Sequence, residues 1–427
     1  MPKPSQQTEH KKPDSEKSDS VIFQTALFAT ASMTVLGATI IAPSLPHFEE
    51  HFASVAHIDT LSRLVLTLPA LFIMLLAPLS GFLLDKYGRL KFLYPAILVW
   101  SLSGAAGFLL EGSIYWILAS RAVFGMATAF VMTAISTLVG DYYQGAKRER
   151  ALGLQGFFMA GGGAVFLILG GFLSDLDWRY PFLVYLSGLG ILILAMCNLY
   201  EPERKAHKKL DSKMSGKSSE STLQQGDMPQ SSALQAEKFS LWKFLPIYVF
   251  SFYAMSMFYA IPTQIPHFIT HELGKSGDLI GASLAVSSLC TAIVSLFYGR
   301  LRARLGIFML YFIALWGIGG GFLLIGALES YSVLLFALVL VGSGLGIILV
   351  NNTSWLLSVA ADSERARAAG FLSSSVFMGQ FCSPFLTQPL VRLGGITLML
   401  EINGIILLCS GAAFLLWHIQ KETKIAK

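Results

Sequence analysis

Long apolar runs, each of about 18 residues or more, recur along the whole chain and constrain its fold more than any other feature. A run of this length crosses about 30 Å of hydrocarbon as a helix. The composition agrees, because 54% of the residues are hydrophobic and 13% are charged, whereas a soluble chain carries about 25% charged residues. We therefore predict an all-α membrane protein with twelve spans, at about 21–46, 61–83, 92–110, 114–137, 151–174, 178–200, 244–266, 279–299, 307–327, 332–359, 369–391 and 396–418.

The basic residues predict the orientation. An even number of spans places both termini on one side of the membrane, and the tails and loops of that side hold 26 of the 31 Lys and Arg residues. The opposite side holds four, and one lies within a span; these five are Arg63, Arg179, Lys275, Arg392 and Arg121. Cytoplasmic loops carry the excess of basic residues, so both termini are predicted to be cytoplasmic.

Two halves of six spans flank a polar segment rich in Ser, Lys, Gln and Glu. The predicted organisation is a disordered tail (1–20), an N-terminal bundle (21–200), a flexible linker (201–240), a C-terminal bundle (241–418) and a second tail (419–427). Short motifs recur between the halves at offsets of 217 to 220 residues: 45–48 with 265–268, 81–88 with 299–306, and 148–153 with 365–370. Duplicated halves are typical of secondary transporters, which place their substrate between the repeats near the bilayer midplane.

A charged loop between the second and third spans carries Gly81, Asp85, Lys86, Gly88 and Arg89. The spacing resembles the loop between helices 2 and 3 of the major facilitator superfamily of transporters. That resemblance implies twelve helices in two pseudo-symmetric bundles and alternating access. It also implies that Asp85 and Arg89, which are close enough to pair on a helical turn, latch the cytoplasmic ends of the bundles.

Arg121 lies within the fourth span, where a guanidinium costs several kcal/mol unless it faces water or a partner. Arg121 and Gly125 match the superfamily's fourth-helix motif, while Phe124 replaces its Gln. The resemblance implies that Arg121 faces the central cavity and takes part in proton coupling. The alternative is a structural Arg, satisfied by backbone carbonyls or extended toward the interface.

Glycines of the fifth span resemble the motif that marks antiporters of the family; they are Gly153, Gly162, Gly170 and Gly171. Phe166-Leu167 replaces the Gly-Pro pair of that motif. With Gly125, these glycines are also predicted to allow close helix approach, which explains them without antiport. The first-half motifs are most similar to the bacterial drug:proton antiporter families.

No Asp or Glu lies near the middle of a span. Proton coupling would therefore use Glu401, Asp85, His47 or His267, although Glu401 and both histidines also suit plain interfacial positions. By the family's architecture, helices 1, 4, 7 and 10 line the cavity. The polar or aromatic candidates on them are Thr34, Thr128, Tyr253, Tyr259, Gln264, Asn351, Asn352 and Trp355, each of which could equally join helices.

The sequence has no nucleotide-binding glycine loop, catalytic-triad spacing or metal cluster. We therefore expect a monomeric carrier in the bacterial inner membrane, not an enzyme, with no cofactor, metal or nucleic-acid partner. Its expected partners are a small-molecule substrate, protons and the lipid bilayer. The first hypothesis is proton-driven export of amphipathic compounds or drugs. The second is transport of an anionic metabolite or siderophore held by Arg121, and the third is a non-transporting membrane sensor.

Overall fold

The computed structural model describes residues 20–143, 145–201, 240–361 and 364–425. Most of the predicted N-terminal tail and linker therefore lies outside the described residues. Within those ranges the regular structure is entirely helical. Helices suit a chain in lipid, because a helix satisfies its own backbone hydrogen bonds.

Six long helices form the N-terminal bundle. They are α1 (Val21–Thr39), α2 (Ile58–Tyr87), α3 (Arg89–Ala105), α4 (Ile114–Tyr142), α5 (Gly145–Leu176) and α6 (Tyr180–Asn198). Between α1 and α2 the chain forms two short helices, Ala42–Ser44 and Leu45–His51. The predicted first span, 21–46, was therefore too long. Pro43 and Pro46 each lie in the first turn of one of the short helices, where proline is favoured, and each lacks the N–H that a continuous helix needs.

The C-terminal bundle repeats this plan with α7 (Leu241–Glu272), α8 (Gly277–Arg304), α9 (Ile307–Ala327) and α10 (Tyr331–Val359). A helical stretch, Arg365–Ile425, then follows, with non-helical dihedrals at Gly394 and Gly395. We call its two parts α11 (365–393) and α12 (396–425). Because α12 continues to Ile425, the predicted boundary at 418 does not coincide with the end of a helix.

The helix count agrees with the predicted twelve. In the described ranges, ten helices are long and apolar enough to cross a membrane, and one of them combines α11 and α12. A shorter apolar helix, Val21–Thr34, belongs to α1. Large apolar side chains are exposed on many helices, as lipid-facing surfaces require, and examples are Leu75, Phe82, Trp116 and Phe336.

Two long contacts join the bundles, α5 with α8 and α2 with α11. In the first, backbones touch: a Cβ on Gly171 would lie 2.5 Å from Gly277 O, and a Cβ on Gly281 would lie 2.2 Å from Leu167 O. Only glycine fits at such separations, so the small residues set how closely α5 and α8 approach. We call the ends of the bundles near the chain termini proximal and the opposite ends distal.

Candidate functional site

A cluster of polar side chains lies between the bundles at their distal ends, and we call it the distal polar seam. The N-terminal bundle contributes three members and the C-terminal bundle four; they are Glu49, Asp59 and Arg63, with Gln264, His267, Gln388 and Arg392. Its members span a range of exposure, from the fully buried Gln264 to the half-exposed Arg392.

Arg63 is the centre of the seam and is 2% exposed. Its Nε and Nη2 donate to Gln264 Oε1 across the bundle interface, at 3.0 and 2.9 Å. Its Nη1 donates to Glu49 Oε1 at 2.5 Å and to the backbone oxygen of Asp59. The guanidinium is thus compensated by a carboxylate of its own bundle and anchored to an amide of the other, as a buried charge requires.

The hydrogen bonds continue from Gln264 back to the first bundle. Gln264 Nε2 donates to Gln388 Oε1 at 3.2 Å, and Gln388 Nε2 donates to Asp59 Oδ2 at 2.8 Å. Arg392 binds both oxygens of Asp59, at 2.8 and 2.9 Å. Two amides and two ion pairs therefore form one connected network. Within it, three residue pairs join the bundles: Arg63–Gln264, Gln388–Asp59 and Arg392–Asp59.

His267 is buried beside this network, with Nε2 3.0 Å from Glu49 Oε1. Burial of Glu49 would raise the pKa of its carboxyl, but the nearby imidazole of His267, the charge of Arg63 and the hydrogen bond from Ser62 outweigh burial and lower that pKa to about 2. A π-helical turn, Phe268–Glu272, follows His267 and places the ring of His271 6.1 Å from it. Turns of this kind are rare and are frequent at functional sites.

A second polar link joins the bundles near the seam. The Asp175 carboxylate, near the distal end of α5, accepts from the backbone N–H groups of Gly277 and Asp278, at 2.5 and 2.8 Å. These are the first residues of α8, whose N-terminal N–H groups have no partner within the helix and favour a negative charge. Asp175 therefore caps a helix of the other bundle.

At the proximal ends, the predicted latch residues make contacts within the N-terminal bundle. Arg89 pairs with Asp141 and lies 3.7 Å from Asp85. The N–H groups of Arg89 and Leu90 donate to the Glu201 carboxylate at 2.7 and 2.8 Å, so the end of α6 caps α3.

The turn between α2 and α3 depends on Gly88. Its φ of 111° is favourable only for glycine, and a Cβ there would lie 3.3 Å from Glu201 Oε1. Gly81 has more room, since its nearest neighbour would be Thr133 Cγ2 at 3.9 Å. The latching role of this loop remains a prediction.

Arg121 lies inside the N-terminal bundle and is fully buried. Its Nη2 donates to the backbone oxygens of Ser103 and Gly104 on α3, at 3.1 and 2.6 Å. Aromatic rings surround the guanidinium, with centroids 4.7 to 5.2 Å away; they belong to Phe124, Phe182 and Tyr185. These contacts resemble the structural alternative, an Arg held by backbone carbonyls, but only Nη2 has such partners among the described residues, and cation–π attraction supplements them. Its predicted role in coupling remains a prediction.

The predicted cavity residues divide between the seam and the interiors of the bundles. Gln264 lies in the seam. Asn351 accepts from Tyr298 Oη and donates to Ile307 O, and Asn352 accepts from Tyr311 Oη, so both amides join helices of the C-terminal bundle.

The remaining polar candidates bond locally or pack. Thr34 and Thr128 bond within their own helices, and Tyr253 Oη lies 3.3 Å from Ser410 Oγ on α12. The ring of Trp355 packs on Tyr311, Tyr259 is buried, and Glu401 packs against Gly326. Substrate contact by these side chains remains a prediction.

The predicted packing glycines lie at close contacts where the structure describes their surroundings. A Cβ on Gly125 would lie 2.6 Å from Pro69 O, and a Cβ on Gly170 would lie 2.3 Å from Ile40 O. A Cβ on Gly162 would lie 3.2 Å from Ser32 Cβ, and Gly171 lies in the contact between the bundles. The surroundings of Gly153 lie outside the described residues.

Five members of the seam were not predicted as site residues from the sequence: Glu49, Asp59, Arg63, Gln388 and Arg392. One signal was present, because Arg63 and Arg392 are two of only four bases assigned to the distal side. Asp59 lies four residues before Arg63, at the start of a long apolar run. A base at such a place either faces water or has a partner.

Comparison with known families gives a match over nearly the whole chain. The model of the Major Facilitator Superfamily matches residues 27–268 and 245–427. Among curated proteins, the chain is 30% identical over 141 residues to protein spinster homolog 3 of Danio rerio, and 30% identical over 171 residues to protein spinster homolog 1 of Homo sapiens. These matches cover 32% and 39% of this chain but only 28% and 32% of the relatives.

Solved structures share the fold across nearly the whole length. A bacterial homolog of the human lysosomal transporter Spinster, in an inward-facing and occupied conformation, superposes with a TM-score of 0.68 at 15% identity, covering 93% of this chain and 96% of the other. The nucleoside transporter NupG gives 0.71 at 13% identity, covering 92% and 100%. A D-xylose-proton symporter gives 0.70 at 14% identity, covering 92% and 97%.

Proposed function

This chain belongs to the Major Facilitator Superfamily, and from that premise we propose that it moves small amphipathic molecules across a membrane by alternating access, with the distal polar seam as its distal gate. The observation that carries the proposal is the pair of hydrogen bonds from Arg63 to Gln264, which joins the bundles through a buried charge. A contact of this kind breaks only when the bundles separate and water reaches both side chains.

In alternating access the two bundles rock about a central site, so contacts at the two ends of the substrate chamber are made and broken in turn. While the seam and the Asp175 cap hold the distal ends together, substrate exchanges at the proximal side. Rocking of the bundles then breaks the Arg63–Gln264 and Asp59–Arg392 contacts and exposes the chamber distally. The glycine contact between α5 and α8 stays close to the axis of this motion.

We further propose that both termini are cytoplasmic, that the protein is a monomer of the bacterial inner membrane, and that protons drive export. The distribution of basic residues supports the orientation. The spinster relatives and the sugar and nucleoside transporters that share the fold do not specify a cargo for this chain. An amphipathic cargo is favoured by the first-half motifs and by the 12% aromatic content.

An anionic cargo is the second candidate, and one observation favours it. Within the described part of the chain, Nε and Nη1 of the buried Arg121 make no hydrogen bond. A carboxylate that reached this site would satisfy both donors. The surrounding rings and the α3 carbonyls instead favour a structural role, so amphipathic cargo remains first.

Cross-linking the seam tests the gate. In a background without the four native cysteines, Asp59→Cys and Gln388→Cys are bridged by a short bifunctional methanethiosulfonate, since the native side chains are 2.8 Å apart. In liposomes, the bridge should abolish substrate flux and reduction should restore it. The two single-cysteine variants treated with the same reagent are the controls. Unchanged flux in the bridged protein would refute the proposed gate.

The cargo is tested in the same liposomes with an imposed pH gradient. Cationic amphipathic dyes are compared with di- and tricarboxylates, for the wild-type protein and Arg121→Ala. Dye flux that follows the gradient supports the first candidate, and carboxylate flux that is lost in Arg121→Ala supports the second. Absence of all flux, from protein that is folded by size-exclusion chromatography, would favour the sensor hypothesis.

A further inference from the structure

The closed seam buries a titratable ring that the gate does not need for its hydrogen-bond network. His267 is 2% exposed and belongs to the C-terminal bundle, whereas its nearest charged neighbour, Glu49, belongs to the N-terminal bundle. The surroundings of the imidazole therefore exist only while the bundles are in contact. When the bundles separate, the imidazole becomes exposed to water and loses the neighbouring carboxylate of Glu49. The proton affinity of His267 must therefore change.

The charges that face His267 fix the sign of that change. Glu49 Oε1 lies 3.0 Å from Nε2, but the same oxygen already accepts from Arg63 and from Ser62. Asp59 is paired with Arg392 in the same network. The two carboxylates and the two guanidiniums thus have a net charge of zero, and the seam is electrically neutral when His267 is neutral.

A proton on the imidazole would add an uncompensated positive charge at a buried position, close to Arg63. On the same helix, His271 lies one turn further on, with its ring 6.1 Å away, and would add to the repulsion if protonated. The sealed seam therefore favours the neutral ring, and the open seam favours the protonated one.

The carboxylate does not compete for this proton. Although Glu49 is partly buried, its neighbours His267, Arg63 and Ser62 lower the pKa of its carboxyl, so Glu49 stays ionised between pH 5 and 8. Histidine has an ordinary pKa of about 6.5 and titrates in that range once it is hydrated. The π-helical turn that begins directly after His267 is a second mark of a functional position.

We propose that His267 is a proton-binding site of the distal gate, which takes up a proton from distal water when the seam opens and returns it to solvent when the seam seals. This inference rests on the proposed function of the seam as a gate. Binding and opening are linked reciprocally, so acid on the distal side favours the open state. One proton changes the open-to-closed ratio by up to about tenfold per pH unit.

The test measures the gate directly as a function of pH. Nitroxide labels are placed at Ala53→Cys and Lys275→Cys, two exposed positions on the distal ends of different bundles, in a background without the native cysteines. Double electron–electron resonance distances are recorded in lipid from pH 5 to 8. The wild-type seam should show a growing long-distance population as pH falls, and His267→Gln should remove this dependence. His271→Gln is the matched control and should retain it.

Two results would overturn the inference. One is a distance distribution of the labelled protein with His267 in place that does not change with pH, a result that cannot reflect misfolding caused by the His267→Gln substitution. The other is a folded His267→Gln protein that keeps the full pH dependence. These results are distinct from a refutation of the gate. If the seam is not a gate, the cross-linked protein still transports substrate. If only the proton site is wrong, the cross-link still blocks flux.

Discussion

Replacing Gln264 by Met removes the acceptor that holds Arg63 across the interface while keeping the length of the side chain. In the closed state, Nε and Nη2 of Arg63 lose their partner at 3.0 and 2.9 Å. Hydrogen bonds to a charged group contribute about 1.5–3 kcal/mol each. We take about 2 kcal/mol as the combined contribution of the two bonds to the closed state. The value is less than the sum of two bonds because both bonds share one oxygen, and because water replaces them when the bundles separate. That free energy corresponds to a shift of about 30-fold toward the open state.

The distal distance between labels at Ala53→Cys and Lys275→Cys measures this shift. The control is Thr263→Val, which alters the neighbouring buried residue but breaks only bonds within its own helix, to Tyr259 O and Ala260 O. Gln264→Met should increase the long-distance population strongly, and Thr263→Val should not. Equal distributions in the two variants would refute the role of the Arg63–Gln264 contact in holding the distal ends together.

Three further predictions use the same measurement. Gly281→Ala should force α5 and α8 apart, because its Cβ would lie 2.2 Å from Leu167 O, whereas Gly299→Ala, with open space around it, should have no effect. Asp175→Ala should open the distal end by removing the cap on α8, and no opening would show that the cap does not hold the bundles. In His267→Gln, the charge of Arg63 and the hydrogen bond from Ser62 should still hold the pKa of Glu49 below its ordinary value of 4.5, so the contribution of Glu49 to closure should be intact above pH 4.5 and be lost only as the pH falls further; a seam that is already fully loosened at pH 4.5 in this variant would contradict this.

The architecture was accessible from the sequence because lipid imposes a simple rule. A helix that crosses the bilayer needs about 20 apolar residues, so runs of that length revealed the spans directly. The close contacts at Gly125, Gly170 and Gly171 were also predictable, since small residues are where membrane helices approach. The end of α1 was misplaced because an apolar run does not show where prolines divide it into shorter helices.

The seam could not be predicted from the sequence, because its contacts join residues that are far apart in the chain. Arg63 and Gln264 are separated by 201 positions, and Asp59 and Arg392 by 333. Periodicity shows which face of a helix is polar, but it does not show which helix of the other bundle covers that face. Arg63 was therefore counted only as a base of the distal side, and Gln264 was assigned to the cavity, when each is the partner of the other.

The contact between α5 and α8 has a mechanical consequence. Helices that interlock through large side chains resist sliding, because each ridge must leave its groove before the next position is reached. Gly171 and Gly281 instead bring two nearly smooth backbone surfaces together. Such surfaces tolerate a change of crossing angle without repacking, so under the proposed alternating access we expect this pair of helices to act as the pivot between the two bundles.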